Sequence, residues 1–458
     1  MPNNFHELPL KLDRKGLAPL SVQVADGLRA AAASGVLQRG DRLPSSRALA
    51  DQLAVSRTVV AAAYDQLHAE GWISGKQGSG TYLLAAPEIT EPRTIMPVPE
   101  DDSADLLDLG PGAPCTDTID PAAWRRAWRA AADQAPRIRK DRAGEPDYRA
   151  AVAEHLLRHR GLTAGGGTVV LATGGTSSAV SEFAAAVLRP GDRIAMENPG
   201  YQRAVGAFRA AGVQVLPVPV DAEGLRVDRL PQDIRAVYCT PAHQFPLGGR
   251  MPAARRVQLV EFARRHGILI LEDDYDGELR YDTAPLPLLA ALAPDVVVHL
   301  GTTSKILTPT LGAGWLVAPP GIADAVLAHR DRTGTGPAPA GQLVLAELAG
   351  NGDLARHLRR LRREMPPRRA LVVDELHRRG LTVLGDDAGS HVVIPLESAE
   401  EELRITAAAR RRGVYLDGLG RHHIGPAHTF GISLGYAALP ESALGTAVRI
   451  AGYCLTRP

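Results

Sequence analysis

Lys305 ends the stretch Leu300-Gly301-Thr302-Thr303-Ser304-Lys305, which follows the apolar run Val296–Leu300 and lies 32 positions after Asp273 in the acidic cluster Glu272-Asp273-Asp274-Tyr275. A lysine at the carboxyl end of a buried strand can form a Schiff base with an aldehyde. An aspartate at the end of a neighbouring strand can hold a ring nitrogen protonated, which raises that nitrogen's pKa and lets the ring act as an electron sink. Together these groups fit pyridoxal phosphate. Tyr275 can hydrogen-bond the ring phenolate oxygen, and Tyr201 offers an aromatic face for stacking. Arg203, two positions after Tyr201, brings a charge that can anchor an acidic effector. Backbone N–H groups of Gly175-Thr176-Ser177 at a helix start, with the hydroxyls of Thr176, Ser177, Thr302 and Ser304, make a cradle for phosphate. His243 joins this cofactor-binding set. Taken singly, a lysine after a serine is more often a surface residue, so the ordered ensemble carries the reading.

These residues need a scaffold that gathers them. Thr168–Thr173, Arg193–Asn198, Val213–Val220, Ala236–Pro241, Ile268–Asp273, Val296–Leu300 and Gly314–Ala318 are short β-rich runs, and amphipathic helical stretches such as Arg255–Arg265 fill most gaps. This alternation predicts an α/β domain over residues 106–458, with a mostly parallel sheet covered on both faces and a smaller C-terminal α+β subdomain. Ligands in such sheets lie at the carboxyl ends of the strands. Thr173-Gly174-Gly175, Tyr201, His243, Asp273 and Lys305 all fall there.

The first eighty residues read differently. Leu20, Val24, Leu28 and Ala31 recur at helical spacing; Ser45 can cap a second helix, Ser46–Leu53, and Ser56 a third after only Ala54-Val55. Two helices joined by so short a turn must cross steeply. Val59, Val60, Ala63 and Leu67 then pack inward, leaving Arg57 and Thr58 free to enter a major groove. Trp72-Ile73 and Thr81–Leu84 flank Gly75-Lys76-Gln77-Gly78-Ser79-Gly80, which predicts a two-stranded wing with Lys76 near its tip. The boundaries are 10–84 for this winged helix-turn-helix and 85–105 for a proline-rich, acidic linker expected to be extended. Such a linker permits exchange of DNA-binding heads across a homodimer.

Composition is compatible with all of this. The chain has 458 residues, 45% hydrophobic and 22% charged, with a formal net charge of +1, which excludes whole-molecule attraction to nucleic acid and requires a local patch. Residues 1–84 carry nine Lys and Arg against seven Asp and Glu. Cys115, Cys239 and Cys454 have no metal or disulfide spacing, and no apolar run approaches a membrane span, so a cytoplasmic location is the default expectation. His422, His423 and His428 lack ligand partners at suitable spacing, and no metal site is expected.

Arg42-Leu43-Pro44-Ser45-Ser46-Arg47, Val55-Ser56-Arg57-Thr58-Val59-Val60 and Gly78-Ser79-Gly80-Thr81-Tyr82 resemble the DNA-binding domain of GntR-family regulators. The resemblance implies that Arg47, Arg57, Thr58 and the wing with Lys76, Gly78 and Gly80 contact operator DNA, beside the Ser56 cap, with Arg57 the best candidate for bidentate base readout. Glu197-Asn198-Pro199-Gly200-Tyr201, Thr240-Pro241-Ala242-His243-Gln244-Phe245-Pro246-Leu247-Gly248, Leu271–Tyr281 and Gly301–Lys305 resemble the fold-type-I aminotransferase domain of MocR-type (GabR-like) regulators. In these GntR-family proteins an aminotransferase-like domain follows the winged helix. The two resemblances cover nearly the whole chain.

Several positions depart from that pattern. Seven residues after the lysine the family has an arginine that clamps the cofactor phosphate; here Gly312 stands there. Ser433 stands where an arginine would hold a substrate carboxylate, before Leu434-Gly435-Tyr436. Arg139 replaces a tyrosine that would reach a neighbouring subunit's phosphate, and Met365-Pro366-Pro367 is expected to interrupt a basic helix, Asp353–Glu364. Losing a charge-assisted phosphate contact costs about 2–5 kcal/mol, unless Arg139 or Arg142 of a partner copy supplies the charge. The expected function is a DNA-binding regulator whose aminotransferase-like domain senses a small molecule through pyridoxal phosphate on Lys305. The alternatives are a working aminotransferase with an accessory DNA-binding head, or a regulator that has lost the cofactor and senses another ligand.

Overall fold

The computed structural model describes residues 8, 10–76, 80–85, 105–163, 167–281 and 284–456. The expected linker 85–105 lies almost entirely outside the described residues, as does Gly78 of the wing. The chain divides into two compact units, Met1–Glu100 and Asp101–Pro458.

In the first unit three helices, Leu20–Ala33, Ser46–Leu53 and Arg57–Ala69, surround a small core of Val24, Leu28, Leu49, Val60, Ala63 and Leu67. Ser45 and Ser56 cap the second and third helices, accepting from the backbone N–H of Ala48 and Val59. Ala54 between them adopts a left-handed backbone with φ 52°, a conformation that permits the two-residue turn but is unfavourable for a residue with a Cβ. The Arg14 guanidinium offsets this by donating to Ala54 O at 2.8 Å and Leu53 O at 3.3 Å. The wing has three strands instead of the expected two. Beside β2 (Ile73–Lys76) and β3 (Gly80–Leu83), β1 (Arg42–Leu43) pairs antiparallel with β3, and the two residues of β1 are too short a run to show alternation.

The second unit opens with β4 (Leu107–Asp108). Its main sheet contains β5 (Val169–Thr173), β6 (Arg193–Asn198), β7 (Gln214–Asp221), β8 (Gly224–Leu225), β9 (Ala236–Cys239), β10 (Leu269–Asp274), β11 (Val297–Thr302) and β12 (Gly314–Ala318), in the order β5-β12-β11-β10-β9-β6-β7-β8. Parallel pairing runs from β11 to β7; β12 is antiparallel to both neighbours and β8 to β7. Buried apolar clusters on both faces explain the near-continuous hydrophobic strands.

The C-terminal portion pairs β13 (His391–Leu396), β16 (Phe430–Gly435) and β15 (Asp417–Gly418) into an antiparallel sheet, while β14 (Val414–Tyr415) runs parallel to β4. The predicted interruption at Met365-Pro366-Pro367 does not occur: one helix runs from Asp353 to Arg378 through both prolines. Proline removes two backbone donors, but its φ suits a helix. Leu358, Leu361 and Met365 before the pair and Val372 and Leu376 after it are buried in one core. Arg368, in the next turn, donates to Leu439 O at 2.6 Å. Packing on both sides holds the helix together.

Candidate cofactor pocket and DNA-reading face

A cavity of about 460 Å³ opens at the carboxyl ends of the parallel strands, lined among others by Thr176, Tyr201, Arg203, Asp273, Tyr275 and Lys305. Side chains alternate along β10. Glu272 accepts from the backbone N–H of Leu289 at 2.7 Å and Ala290 at 3.1 Å, and Asp274 forms a buried ion pair with Arg160. Asp273 therefore faces the opposite side, into the cavity. Its Oδ2 accepts from the Tyr238 hydroxyl; its Oδ1 is buried with no partner among the described residues. Burial pushes its pKa up to about 7, against the pull of the Tyr238 bond.

Lys305 is half-buried at the turn after β11. Burial lowers the pKa of its amine, opposed by the carboxylates of Asp276 and Asp273, so more of it is in the neutral, nucleophilic form at neutral pH. Gly112 approaches it closely: a Cβ there would sit 3.0 Å from Lys305 Nζ, on a backbone of φ +80°. His243 is bonded through Nδ1 to Asp276 Oδ2 at 2.7 Å and to the Tyr275 hydroxyl at 3.1 Å, so it fixes the tyrosine and touches the cavity only through it. Tyr201 meets the Ser177 hydroxyl at 2.9 Å, and Phe245 packs edge-on against both Tyr201 and Tyr275, with centroids 5.9 Å apart in each case.

Helix Thr176–Val187 starts at Gly175, whose φ of 118° brings its backbone against β11. A Cβ at Gly175 would lie 3.4 Å from Thr302 Oγ1 and 3.9 Å from Ser304 Oγ. The helix N-terminus and these two hydroxyls thus enclose a small polar cradle. Gly312, where the family pattern has an arginine, holds a left-handed φ of 59° in open space. Arg142 is committed within its own chain, with its guanidinium bonded to Arg330 O at 2.5 Å and paired with Asp331; Arg139 is exposed.

Sequence reasoning missed Arg421 and His422, which also line the cavity. Arg421 lies in the turn after β15, where Asp417 holds its guanidinium, Nη2 to Oδ2 at 2.9 Å; His422 Nε2 meets the same oxygen at 3.0 Å. The backbone delivers this turn: Gly200 N and the Gln202 side chain both donate to His422 O, at 2.9 and 2.7 Å, and Ile424 N donates to Asn198 Oδ1 at 2.7 Å. No local pattern marks Arg421, because only these long-range bonds bring it to the strand ends. A cation therefore faces the cavity although Ser433, buried on β16, provides none.

On the small unit, Arg47, Arg57 and Thr58 are exposed, and Arg57 Nε reaches Ser46 Oγ at 3.4 Å. Lys76 pairs with Gly80 at the end of the wing hairpin. Gly80, with φ +106°, admits the Arg42 guanidinium where a Cβ would sit 2.6 Å from its Nε.

The pattern of the family "Aminotransferase class I and II" matches residues 104–448, and that of "Bacterial regulatory proteins, gntR family" matches residues 20–83. The HTH-type pyridoxine biosynthesis transcriptional regulator PdxR of Corynebacterium glutamicum is 36% identical over 96% of both chains. The chain belongs to the MocR-type branch of the GntR-family transcriptional regulators. The probable rhizopine catabolism regulatory protein MocR of Rhizobium meliloti is 31% identical to this regulator over 95% of its chain and 93% of that protein. Among solved structures, kynurenine aminotransferase from Pyrococcus horikoshii superposes with a TM-score of 0.70 at 24% identity, covering 77% of this chain and 91% of that one. The α-aminoadipate aminotransferase LysN from Thermus thermophilus gives 0.68 at 25%, covering 77% and 92%. The regulator thus carries a DNA-binding domain of the GntR type and an effector domain of the pyridoxal-phosphate-dependent aminotransferase fold. None of its described helices is long and apolar enough to cross a membrane.

Proposed function

We propose that this regulator uses pyridoxal phosphate itself as its effector, bound at Lys305, and that occupancy of the pocket controls how a homodimer's winged helices read a repeated operator. The orphaned, buried Oδ1 of Asp273 carries this reading. A carboxylate oxygen left without a donor in the core is unfavourable, and a protonated ring nitrogen is the kind of group that would relieve it. Lys305 would hold the aldehyde carbon, Tyr201 the ring face, Tyr275 the ring oxygen, and the Gly175-Thr176-Ser177 turn with Thr302 and Ser304 the phosphate. When bound, the cofactor supplies an electrophilic aldehyde and an electron-withdrawing ring.

The residues around it favour sensing. With Gly312 in place of a phosphate-binding arginine, a contact of about 2–5 kcal/mol is absent, and each 1.4 kcal/mol is about tenfold in affinity. Occupancy can then follow cellular supply instead of remaining permanently full. The 36%-identical relative is named for pyridoxine biosynthesis, which fits a circuit that reports on this cofactor. Arg421 and Arg203 give the cavity two cations suited to an anionic group. The route outward is covalent and short. Gly112 and Lys305 line the same cavity, where a Cβ at Gly112 would sit 3.0 Å from the amine, and Leu107–Asp108, the first strand after the linker, pairs with Val414–Tyr415 only a few residues upstream.

Titration of the purified chain with pyridoxal phosphate should raise a visible absorption band that Lys305→Ala abolishes, and the same titration should change operator affinity in a gel shift. No lysine-dependent band at high cofactor would overturn the reading. So would turnover of an amino-donor panel that ends in Lys305→Ala. On the DNA side, Arg57→Ala should weaken operator binding by about 1–3 kcal/mol and relax base preference; an unchanged gel shift removes that role.

A further inference from the structure

We infer that the outer face of the effector unit carries a second surface for the DNA backbone, formed by two adjacent rows of arginines; this rests on the reading of the chain as a DNA-binding regulator. Arg356, Arg359, Arg360 and Arg363 recur at three-to-four spacing along helix Asp353–Arg378, which puts them on one stripe. Arg125, Arg126 and Arg129 do the same on helix Pro121–Ala132. A single buried carboxylate ties the rows together, since Asp353 accepts from Arg126 Nη2 at 3.1 Å through Oδ2 and from Arg356 Nη2 at 2.7 Å through Oδ1. Arg360 Nε donates to Thr118 O at 3.2 Å, just ahead of the second helix.

The patch is locally unbalanced. Arg125, Arg129, Arg359 and Arg363 are exposed and make no ion pair among the described residues. The acids beside the two rows are few and occupied: Asp353 is shared between two arginines, Asp120 caps its own helix at the N–H of Ala122 and Ala123, and Glu364 pairs with buried Arg368. Of the remaining acids of these helices, Asp133 caps the end of the first, one turn beyond Arg129, without an ion pair to it, and Asp374 and Glu375 of the other stand beyond the proline pair. The whole chain carries a formal charge of +1, so this excess is not part of a generally basic surface. Seven guanidiniums in two rows suit an array of phosphates, to which arginine binds in forked geometry. A second copy docked here about a twofold axis would face its own like charges. DNA is the polyanion the molecule already handles, and the roughly 20 residues between the units can reach at most about 60–70 Å, enough for one duplex to meet both surfaces.

Phosphate contacts are independent of sequence, so a random-sequence duplex of about 60 base pairs is the probe, with dissociation constants measured over a salt series. Each neutralised phosphate contributes about 0.9 to the slope of log affinity against log salt. The triple variant R129Q/R359Q/R363Q, all exposed positions, should lower that slope by about 2–3 and weaken binding tenfold or more at low salt. It should also leave the pyridoxal phosphate titration unchanged. An unchanged slope and affinity in the variant overturns this surface, as does a wild-type preference for an acidic protein over the duplex. A wild type that binds no duplex at all would instead overturn the DNA-binding reading itself, and Arg57→Ala, measured in parallel, reports on the head alone.

Discussion

Three consecutive carboxylates in β10 do three different things. Glu272 is bonded to the backbone at Leu289 and Ala290, Asp274 is paired with Arg160, and only Asp273 faces the cavity with an oxygen to spare. Because burial raises the folded pKa of Asp273 from 3.8 to about 7, the folded state holds an extra proton between those values. Its contribution therefore favours folding below that window and is lost as pH rises through it. Asp273→Asn keeps an acceptor for Tyr238 and removes the buried charge. It should stabilise the cofactor-free protein by roughly 1–3 kcal/mol at pH 8 and by much less at pH 5, read as a melting shift, while abolishing the visible band. Lys305 moves the opposite way. Its lowered pKa leaves more free amine at neutral pH, so the rate of cofactor loading should rise with pH and level off below the ordinary lysine range near 10.5. A rate that kept rising past that value would contradict it.

Two connecting segments decide what the cavity can do. The Leu109–Gly112 stretch lies against both Lys305 and the C-terminal sheet: a Cβ at Gly435 would meet Gly110 O at 2.1 Å, and one at Gly112 would meet Lys305 Nζ at 3.0 Å. Gly112→Ala should cost about 1–2 kcal/mol for its left-handed backbone alone and slow cofactor loading, measured by stopped-flow absorbance, without unfolding the domain. The other segment is the turn Gly420–His423. It brings Arg421 to a place that the residues before Leu434-Gly435-Tyr436 leave uncharged, so the absence of an arginine at Ser433 does not empty the cavity of cations. Helix Asp353–Arg378 makes a related point. The proline pair predicts a break, yet burial of Met365 and Arg368 on either side of the pair outweighs two missing backbone donors.

The molecule is built as two units with separate cores, Val24, Leu49 and Leu67 in one and the two faces of the large sheet in the other. Each should fold by itself. Residues 105–458 expressed alone should therefore bind pyridoxal phosphate with the affinity of the full chain, by absorbance titration, and lose sequence-specific operator binding. A fragment that fails to fold would show that the head contributes to the large core.

The strand segments of a mostly parallel sheet, the capped helices of the head and the gathering of Tyr201, Asp273, Tyr275 and Lys305 at the strand ends could be read from the sequence, because each depends on local periodicity or on the rule that parallel strands present their carboxyl ends to ligands. So could the vacancy at Gly312, which is a matter of residue type. The position at the strand end singles out Asp273 among three adjacent acids, but what turns Glu272 and Asp274 away from the cavity is supplied only by the fold, through partners 17 to 114 positions away. Reading from sequence misjudged the proline-containing helix and the two-stranded wing for a similar reason: burial on both sides of the one, and a two-residue strand too short to show a period in the other. Arg421 was invisible to it altogether. That residue reaches the pocket on a turn tied by hydrogen bonds to Gly200, Gln202 and Asn198, more than two hundred positions away, and long-range hydrogen bonds leave no periodic trace along a chain.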